Sequence, residues 1–310
     1  MTKTAAFFKL VRLPNLVFIV LTQVLFQVCI YYPIYTPDIP LQDWWRFALL
    51  VTASVLIAAG GYIINDYFDI NIDVVNKPDK LIVNKHISRR WAQAWHLIFS
   101  LMGVLLTAMA VELRAQWYLI IANFASVILL WLYSVRFKRD VLIGNIVISL
   151  LTAWTILIIF LSKYSLHDAF HDVDLRQLKL FRFAILYAGF AFIISLVREA
   201  VKDVEDMAGD ARYGCRTMPI IWGVNVTKVY VAVWLTILTA MLVIVQFYVL
   251  QFGWWIAVLY CFFMITLPLG YIFIKMLKAS ATQDFAALSS LTKLTMLSGI
   301  LSMILFYIYL

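Results

Sequence analysis

The chain has 310 residues, of which 64% are hydrophobic and 14% are charged, and its formal net charge is +8. Ordinary globular chains carry about 25% charged residues, so this composition excludes a soluble protein and favours a single polytopic domain over residues 1–310. The basic residues lie between apolar runs, which points to membrane topology and not to a nucleic-acid-binding surface. The three cysteines, Cys29, Cys215 and Cys261, show neither metal-binding nor redox spacing.

Apolar runs of about 20 residues, the length that crosses a hydrocarbon core, recur along the chain. The first run is too long for the apolar region of a cleaved signal peptide, so we interpret it as a membrane helix. The expected fold is an all-α bundle of nine transmembrane helices. The predicted spans are residues 16–33, 46–64, 93–111, 117–134, 142–161, 181–198, 222–248, 254–275 and 290–309.

Lys and Arg are distributed unequally between alternate connections. If the N-terminus is cytoplasmic, 19 of the 25 basic residues fall on the cytoplasmic side. The positive-inside rule therefore predicts an integral, multi-pass protein with a cytoplasmic N-terminus. Almost no charged residue falls near the middle of a span, which disfavours an ion-coupled transporter.

Two acidic clusters interrupt this apolar chain, one after the second predicted span and one after the sixth. Each contains three aspartates at positions i, i+3 and i+7, which lie on one face of an α-helix. The aspartates are Asp66, Asp69 and Asp73 in the first cluster, and Asp203, Asp206 and Asp210 in the second. The clusters lie four helices apart, which predicts two pseudo-repeated four-helix units and a ninth helix.

The residue types in the clusters indicate magnesium. Carboxylates are hard ligands, and proteins commonly hold Mg²⁺ through one or two of them together with substrate phosphates. Neither cluster contains His or Cys, so zinc and copper are disfavoured. We therefore expect both clusters, facing each other at one side of the membrane, to bind a diphosphate through Mg²⁺. Residues expected to contact the diphosphate are Asn65, Lys77, Lys80, Tyr133, Lys138, Arg198 and Lys202.

These motifs resemble the UbiA superfamily of intramembrane prenyltransferases. The family motif Asn-Asp-x-x-Asp-x-x-x-Asp is matched by Asn65, Asp66, Asp69 and Asp73, and the motif Asp-x-x-x-Asp by Asp206 and Asp210. The segment from Arg12 to Asn15 is similar to the N-terminal Arg-x-x-Asn element of the family. The resemblance implies nine helices and Mg²⁺-dependent transfer of a prenyl group from an isoprenoid diphosphate to a lipophilic acceptor. It also implies that the five motif aspartates are catalytic metal ligands, assisted by Asn65 and Asp203.

Within the family, the stretch from Arg198 to Ile220 most resembles the geranylgeranylglycerol-phosphate geranylgeranyltransferases. The resemblance implies geranylgeranyl transfer to geranylgeranylglyceryl phosphate, a step of ether lipid synthesis. The chain departs from the family where Lys80 and Leu81 replace a common Arg-Pro. It also departs in a Tyr-x-x-x-Lys element, where Tyr133 is followed by Phe137 at the lysine position and then by Lys138.

Two alternatives stay open at this point. In the first alternative, the protein transfers the prenyl group to an aromatic acceptor of quinone biosynthesis. In the second, the protein is a transporter that binds a phosphorylated lipid or an isoprenoid without chemistry. The sequence leaves the prenyl chain length and the oligomeric state open, and it shows no histidine beside the clusters to act as a base.

Overall fold

The computed structural model describes residues 2–76, 82–164 and 174–310. Within these ranges the regular structure is helical, apart from an isolated bridge between Val83 and Ile87. Nine helices in the described part of the chain are long and apolar enough to cross a membrane. The predicted all-α fold class with nine membrane helices is therefore confirmed.

The helices are numbered in chain order, and three of them are too short to span a membrane. The short helices are α1, α4 and α9. The full set is α1 (Lys3–Leu10), α2 (Leu13–Tyr35), α3 (Asp43–Phe68), α4 (Ile70–Asn76), α5 (Arg89–Ala110), α6 (Leu113–Val135), α7 (Ile143–Leu161), α8 (Leu175–Arg212), α9 (Met218–Ile221), α10 (Val224–Leu250), α11 (Trp255–Lys278) and α12 (Thr282–Tyr309).

The helices pack into two compact units. The first contains Met1–Val24, Tyr35–Lys138 and Trp154–Ala184, and the second contains Leu25–Ile34, Arg139–Ala153 and Ile185–Leu310. The first acidic cluster belongs to the first unit, and the second acidic cluster belongs to the second unit. The single-domain organisation and the internal duplication stay predictions.

In the first unit, α3 packs most extensively against α5. Gly103 of α5 permits this close approach, because a Cβ atom there would lie 2.6 Å from Ile57 Cγ1 and 3.1 Å from the Ala53 carbonyl oxygen. Helix association in membranes depends on such close packing of small residues, since lipid supplies no hydrophobic drive between helices. The α5 helix therefore supports α3, whose C-terminal end carries the first acidic cluster.

The short helix α1 belongs to the core of the same unit. Leu10 of α1 is buried in one apolar cluster with Ile63 of α3 and Ile70 of α4. This packing brings the end of α1 close to the end of α3, where the acidic residues begin.

In the second unit, α8, α10, α11 and α12 share one buried apolar cluster. Two of the helices in this unit contain a widened π-helical turn, at Gln27–Tyr31 in α2 and at Phe262–Thr266 in α11. Each turn is followed two residues later by a proline, Pro33 or Pro268. A proline has no N–H to donate and its ring collides with the carbonyl four residues before it, so a widened turn lets the helix continue.

The helix α8 extends well beyond a single membrane span. Its 38 residues correspond to about 57 Å at 1.5 Å per residue, against a hydrocarbon core of about 30 Å. The predicted span ended at residue 198, but the helix continues through the second acidic cluster. The prediction that Asp203, Asp206 and Asp210 share one helix is therefore confirmed.

The matching prediction for the first acidic cluster is wrong. The helix α3 ends at Phe68 and α4 begins at Ile70, so Asp69 stands between two helices with φ −89° and ψ −1°. The Asp69 N–H still bonds the Asn65 carbonyl oxygen at 3.0 Å, while the Asn65 side chain donates to the Asp69 carboxylate at 2.8 Å. Such local bonds by Asn and Asp compete with a continuous helix.

We predict that Gly103→Ala lowers the stability of the protein by about 1–3 kcal/mol, because the added methyl group overpacks the α3–α5 contact. Thermal unfolding of the purified protein in detergent measures this change. The control is Gly270→Ala, since no atom lies within 4 Å of a Cβ at Gly270 and alanine favours a helix. Equal stability of the two variants would contradict the close approach of α3 and α5.

Candidate functional site

Asp66, the first aspartate of the first cluster, lies in α3 and forms an ion pair with Arg12. The distance from Arg12 Nη2 to Asp66 Oδ1 is 2.7 Å, and the Asp66 side chain is 16% exposed. The guanidinium carbon of Arg12 also lies 5.2 Å from the ring centroid of Tyr62, one turn earlier on α3. Burial alone would lower the pKa of Arg12, but the Asp66 carboxylate raises it, so this cation stays charged.

The backbone of Arg12 is in the left-handed region, with φ +52°. Arg12 is the turn residue between α1 and α2, and its carbonyl oxygen accepts from the Asn15 N–H at 2.7 Å. A left-handed conformation at a residue other than glycine costs about 1–3 kcal/mol. The ion pair between Arg12 and Asp66 links the Arg-x-x-Asn element directly to the first acidic cluster.

Asp69 is held from two sides. One carboxylate oxygen, Oδ2, accepts from Asn65 Nδ2 at 2.8 Å, and the other, Oδ1, forms an ion pair with Lys138 Nζ. Lys138 Nζ also lies 3.4 Å from Asn65 Oδ1. The Lys138 and Asp69 side chains are only 10% and 15% exposed, so this contact is largely shielded from water.

Lys138 reaches Asp69 from a tight turn after α6. The helix ends at Val135, Arg136 has the non-helical angles φ −135° and ψ −55°, and a 3₁₀ turn covers Phe137–Arg139. The expected diphosphate-binding lysine is displaced by one position from the family pattern. The turn nevertheless brings Lys138 to the first acidic cluster.

The remaining predicted residues of the first unit are placed less completely. Asp73 lies in α4, but its side chain is outside the described part of the structure, as are Lys77 and Lys80. Tyr133 lies half-buried on α6, shortly before the turn that carries Lys138. Contacts of these four side chains with a diphosphate stay predictions.

In the second unit, Asp203 is held by a neutral partner from α7. Asn145 Nδ2 donates to Asp203 Oδ2 at 2.9 Å. Asp206 and Asp210 follow on the same face of α8, and both side chains are partly exposed. Asp203 therefore differs from Asp66 and Asp69, each of which forms an ion pair with a basic side chain.

Arg198 and Lys202, predicted to bind the diphosphate, are paired with a carboxylate in this structure. Arg198 Nη1 donates to Glu199 Oε1 at 2.9 Å, and Lys202 Nζ lies 3.9 Å from Glu199 Oε2. Glu199 is buried, with 8% exposure. A role of these two cations in binding a diphosphate stays a prediction.

The donor atoms of both clusters suit a hard dication such as Mg²⁺, because all of them are carboxylate or amide oxygens. Among the described residues, no group of three or more His, Cys, Asp or Glu side chains is arranged to hold a metal ion. In the first cluster, Arg12 and Lys138 contact the carboxylates of Asp66 and Asp69. Because magnesium often takes one or two carboxylates and completes its shell with phosphate and water, the residues fit an ion that binds together with a diphosphate.

Sequence reasoning missed two residues that contact the predicted aspartates. Arg12 was noted only as part of a motif, and Asn145 was not singled out. A signal existed for both, because each is a polar residue within about one helical turn of the start of a predicted membrane span. The sequence did not indicate which carboxylate each one would contact.

Comparison with known proteins gives one family. Residues 14–309 match the model of the UbiA prenyltransferase family. The digeranylgeranylglyceryl phosphate synthase of Methanospirillum hungatei is 30% identical over 232 residues, which cover 74% of this chain and 72% of that protein. The enzyme of the same name from Methanoculleus marisnigri is 34% identical over 184 residues, covering 59% of each chain. Several such relatives are thus matched over less than two thirds of their own length.

Solved structures show the same fold. A structure described as digeranylgeranylglyceryl phosphate synthase in membranes has a TM-score of 0.67 and 22% identity, covering 100% of both chains. A UbiA homologue from Archaeoglobus fulgidus bound to DMAPP and Mg²⁺ has a TM-score of 0.58 and 17% identity, covering 96% of this chain and 98% of that chain.

We predict that Lys138→Met lowers the free energy of unfolding by about 3 kcal/mol, because it leaves the Asp69 carboxylate without its cation in a largely buried setting. Chemical or thermal unfolding in detergent measures the loss. The matched control is Arg139→Met, since the neighbouring Arg139 is exposed.

A double variant, Lys138→Met with Asp69→Asn, should recover part of the lost stability, because no unpaired charge is then buried. If Lys138→Met is as stable as Arg139→Met, the ion pair does not hold the first acidic cluster.

Proposed function

The chain belongs to the UbiA prenyltransferase family, and we propose that it transfers a geranylgeranyl group from its diphosphate to geranylgeranylglyceryl phosphate. The family match covers residues 14–309, so the protein is an integral, multi-pass membrane prenyltransferase. The choice of substrates rests on one observation: the curated relatives with 30% and 34% identity are digeranylgeranylglyceryl phosphate synthases. The similarity of the stretch from Arg198 to Ile220 to that subfamily supports the same choice.

The five motif aspartates, with Asp203, are the proposed ligands of Mg²⁺. They are Asp66, Asp69, Asp73, Asp203, Asp206 and Asp210. Their oxygen donors suit this ion, and the A. fulgidus homologue with the same fold was solved with Mg²⁺ and DMAPP. Bound Mg²⁺ would supply positive charge to the diphosphate as it leaves.

Arg12 and Lys138 are proposed to change partners when the donor binds. In this structure they form ion pairs with Asp66 and Asp69. A dication bound by these carboxylates would take the place of both basic groups and release them. Arg and Lys pair well with phosphate oxygens, so the released groups would then bind the diphosphate. Asn65 would keep Asp69 in place through its 2.8 Å hydrogen bond.

The reaction breaks the bond between the allylic carbon and a diphosphate oxygen, and the diphosphate leaves with the bonding electrons. The hydroxyl oxygen of the glycerol forms an ether bond to the same carbon, and its proton is released. Negative charge therefore grows on the diphosphate, where Lys138 and Arg12 are proposed to bind. Charged donors that are already in place stabilise the charge as it develops.

We propose that the acidic clusters face the cytoplasm. The support is the distribution of basic residues, with 19 of the 25 on the side that holds the N-terminus and both clusters. Isoprenoid diphosphates are highly charged and water-soluble at one end, so a site at this membrane surface gives the head group direct access.

We predict that the purified protein with Mg²⁺ and geranylgeranyl diphosphate alkylates geranylgeranylglyceryl phosphate, and not 4-hydroxybenzoate or 1,4-dihydroxy-2-naphthoate. Mass spectrometry of the products from a mixed acceptor panel measures this directly. A product with an aromatic acceptor would assign the chain to quinone biosynthesis instead.

The negative controls are Asp69→Asn and Asp206→Asn, each of which removes a proposed metal ligand without changing core volume. We expect transfer to fall at least 100-fold, equivalent to about 2.7 kcal/mol of transition-state stabilisation, with membrane insertion unchanged. Asp38→Asn is the matched control, because Asp38 is exposed and pairs with Arg176, away from both clusters in the sequence. Wild-type transfer by either negative control at saturating Mg²⁺ would refute the assigned roles.

A further inference from the structure

Asn145 makes an unusual contact for a buried amide in an apolar helix. It lies near the start of α7 with 8% exposure, and its Nδ2 donates to Asp203 Oδ2 at 2.9 Å. No motif singled it out, and neither the metal ligands nor the diphosphate contacts proposed above include it. A polar side chain at this depth is costly unless it has a partner, so the contact has a physical reason to be kept.

The Asn145 contact belongs to an antiparallel helix pair of fixed register within the second unit. Thr152 lies seven residues further along α7, and its hydroxyl is 3.4 Å from the hydroxyl of Ser195, eight residues back along α8. Two contacts about two turns apart fix how α7 and α8 are aligned. The Asn145 amide is therefore held by the helix pair and does not depend on a loop.

Within the described part of the chain, the Asp203 side chain accepts one hydrogen bond, from Asn145. It involves Oδ2, and none of the described residues donates a hydrogen bond to Oδ1. Asp66 and Asp69 differ, because each contacts a basic side chain that competes with a metal ion for the carboxylate. A neutral amide fixes the carboxylate without neutralising it.

We propose that Asn145 is a positioning residue for cation binding, which orients the Asp203 carboxylate so that its second oxygen is available to Mg²⁺. This inference rests on the proposed role of Asp203 as a metal ligand. An amide donor favours the charged carboxylate and restricts its rotation, so the ligand is already oriented before the ion binds. Residues that orient metal ligands typically contribute 10- to 100-fold to metal affinity.

The test measures Mn²⁺ binding to the purified protein by electron paramagnetic resonance. Inorganic diphosphate is present, and lipid substrates are left out. Asn145→Leu keeps the branching of the side chain, at a somewhat larger volume, and removes the donor. We expect Mn²⁺ affinity to fall at least tenfold, while the thermal unfolding temperature matches that of a control variant. Asn145→Gln, which retains an amide on a longer stem, should recover part of the affinity.

The control variant is Thr152→Val, which removes a hydrogen bond from the same α7–α8 contact but not one to a carboxylate. Unchanged Mn²⁺ affinity in Asn145→Leu, or an equal loss in Thr152→Val, would overturn the positioning role. If the wild-type protein does not bind Mn²⁺ at all, the proposed metal ligands fail and this inference fails with them. Binding by the wild type with no effect of Asn145→Leu would refute only the inference.

Discussion

The pairing of two carboxylates with two cations at the end of a membrane helix is the interaction on which the first half of the site depends. Arg12 pairs with Asp66, and Lys138 pairs with Asp69, and both carboxylates are largely shielded from water. An unpaired carboxylate in such a setting costs several kcal/mol, so the charge persists only because a cation accompanies it. The rest of the first unit supports these pairs: α1 brings Arg12 to α3, and a 3₁₀ turn brings Lys138.

The same interaction explains how a largely apolar membrane protein accommodates these two carboxylates, because each one is paired with a basic side chain. A basic side chain that pairs with a carboxylate can move to a phosphate when a metal ion takes its place at the carboxylate. The proposed exchange therefore leaves no charged group unpaired. In the second cluster, Asp203 is held by a neutral side chain and not by a cation. There, the neutral amide of Asn145 donates a hydrogen bond to Asp203, and Glu199 pairs with the nearby Arg198 and Lys202.

The nine membrane helices found in the described ranges could be predicted from the sequence, because apolar runs of the right length are a strong signal. The family motifs were recognisable from the aspartate spacing. The interruption of the helix at Asp69 could not be predicted, because the helical spacing of the aspartates does not show that the Asn65 side chain donates to Asp69. The contact between Lys138 and Asp69 could not be predicted either. Phe137 occupies the expected lysine position, and it is the 3₁₀ turn that brings Lys138, one residue later, to Asp69. Asn145 was missed because its partner lies 58 residues away in the sequence.

The most direct test of the proposed exchange is an experimental structure of the protein in a lipid nanodisc with Mg²⁺ and a non-hydrolysable geranylgeranyl thiodiphosphate. The account predicts metal density on the carboxylates of Asp66 and Asp69, with Lys138 Nζ moved from Asp69 to a phosphate oxygen. A structure with the bound diphosphate in which Lys138 still pairs with Asp69, and in which no metal contacts that carboxylate, would contradict it.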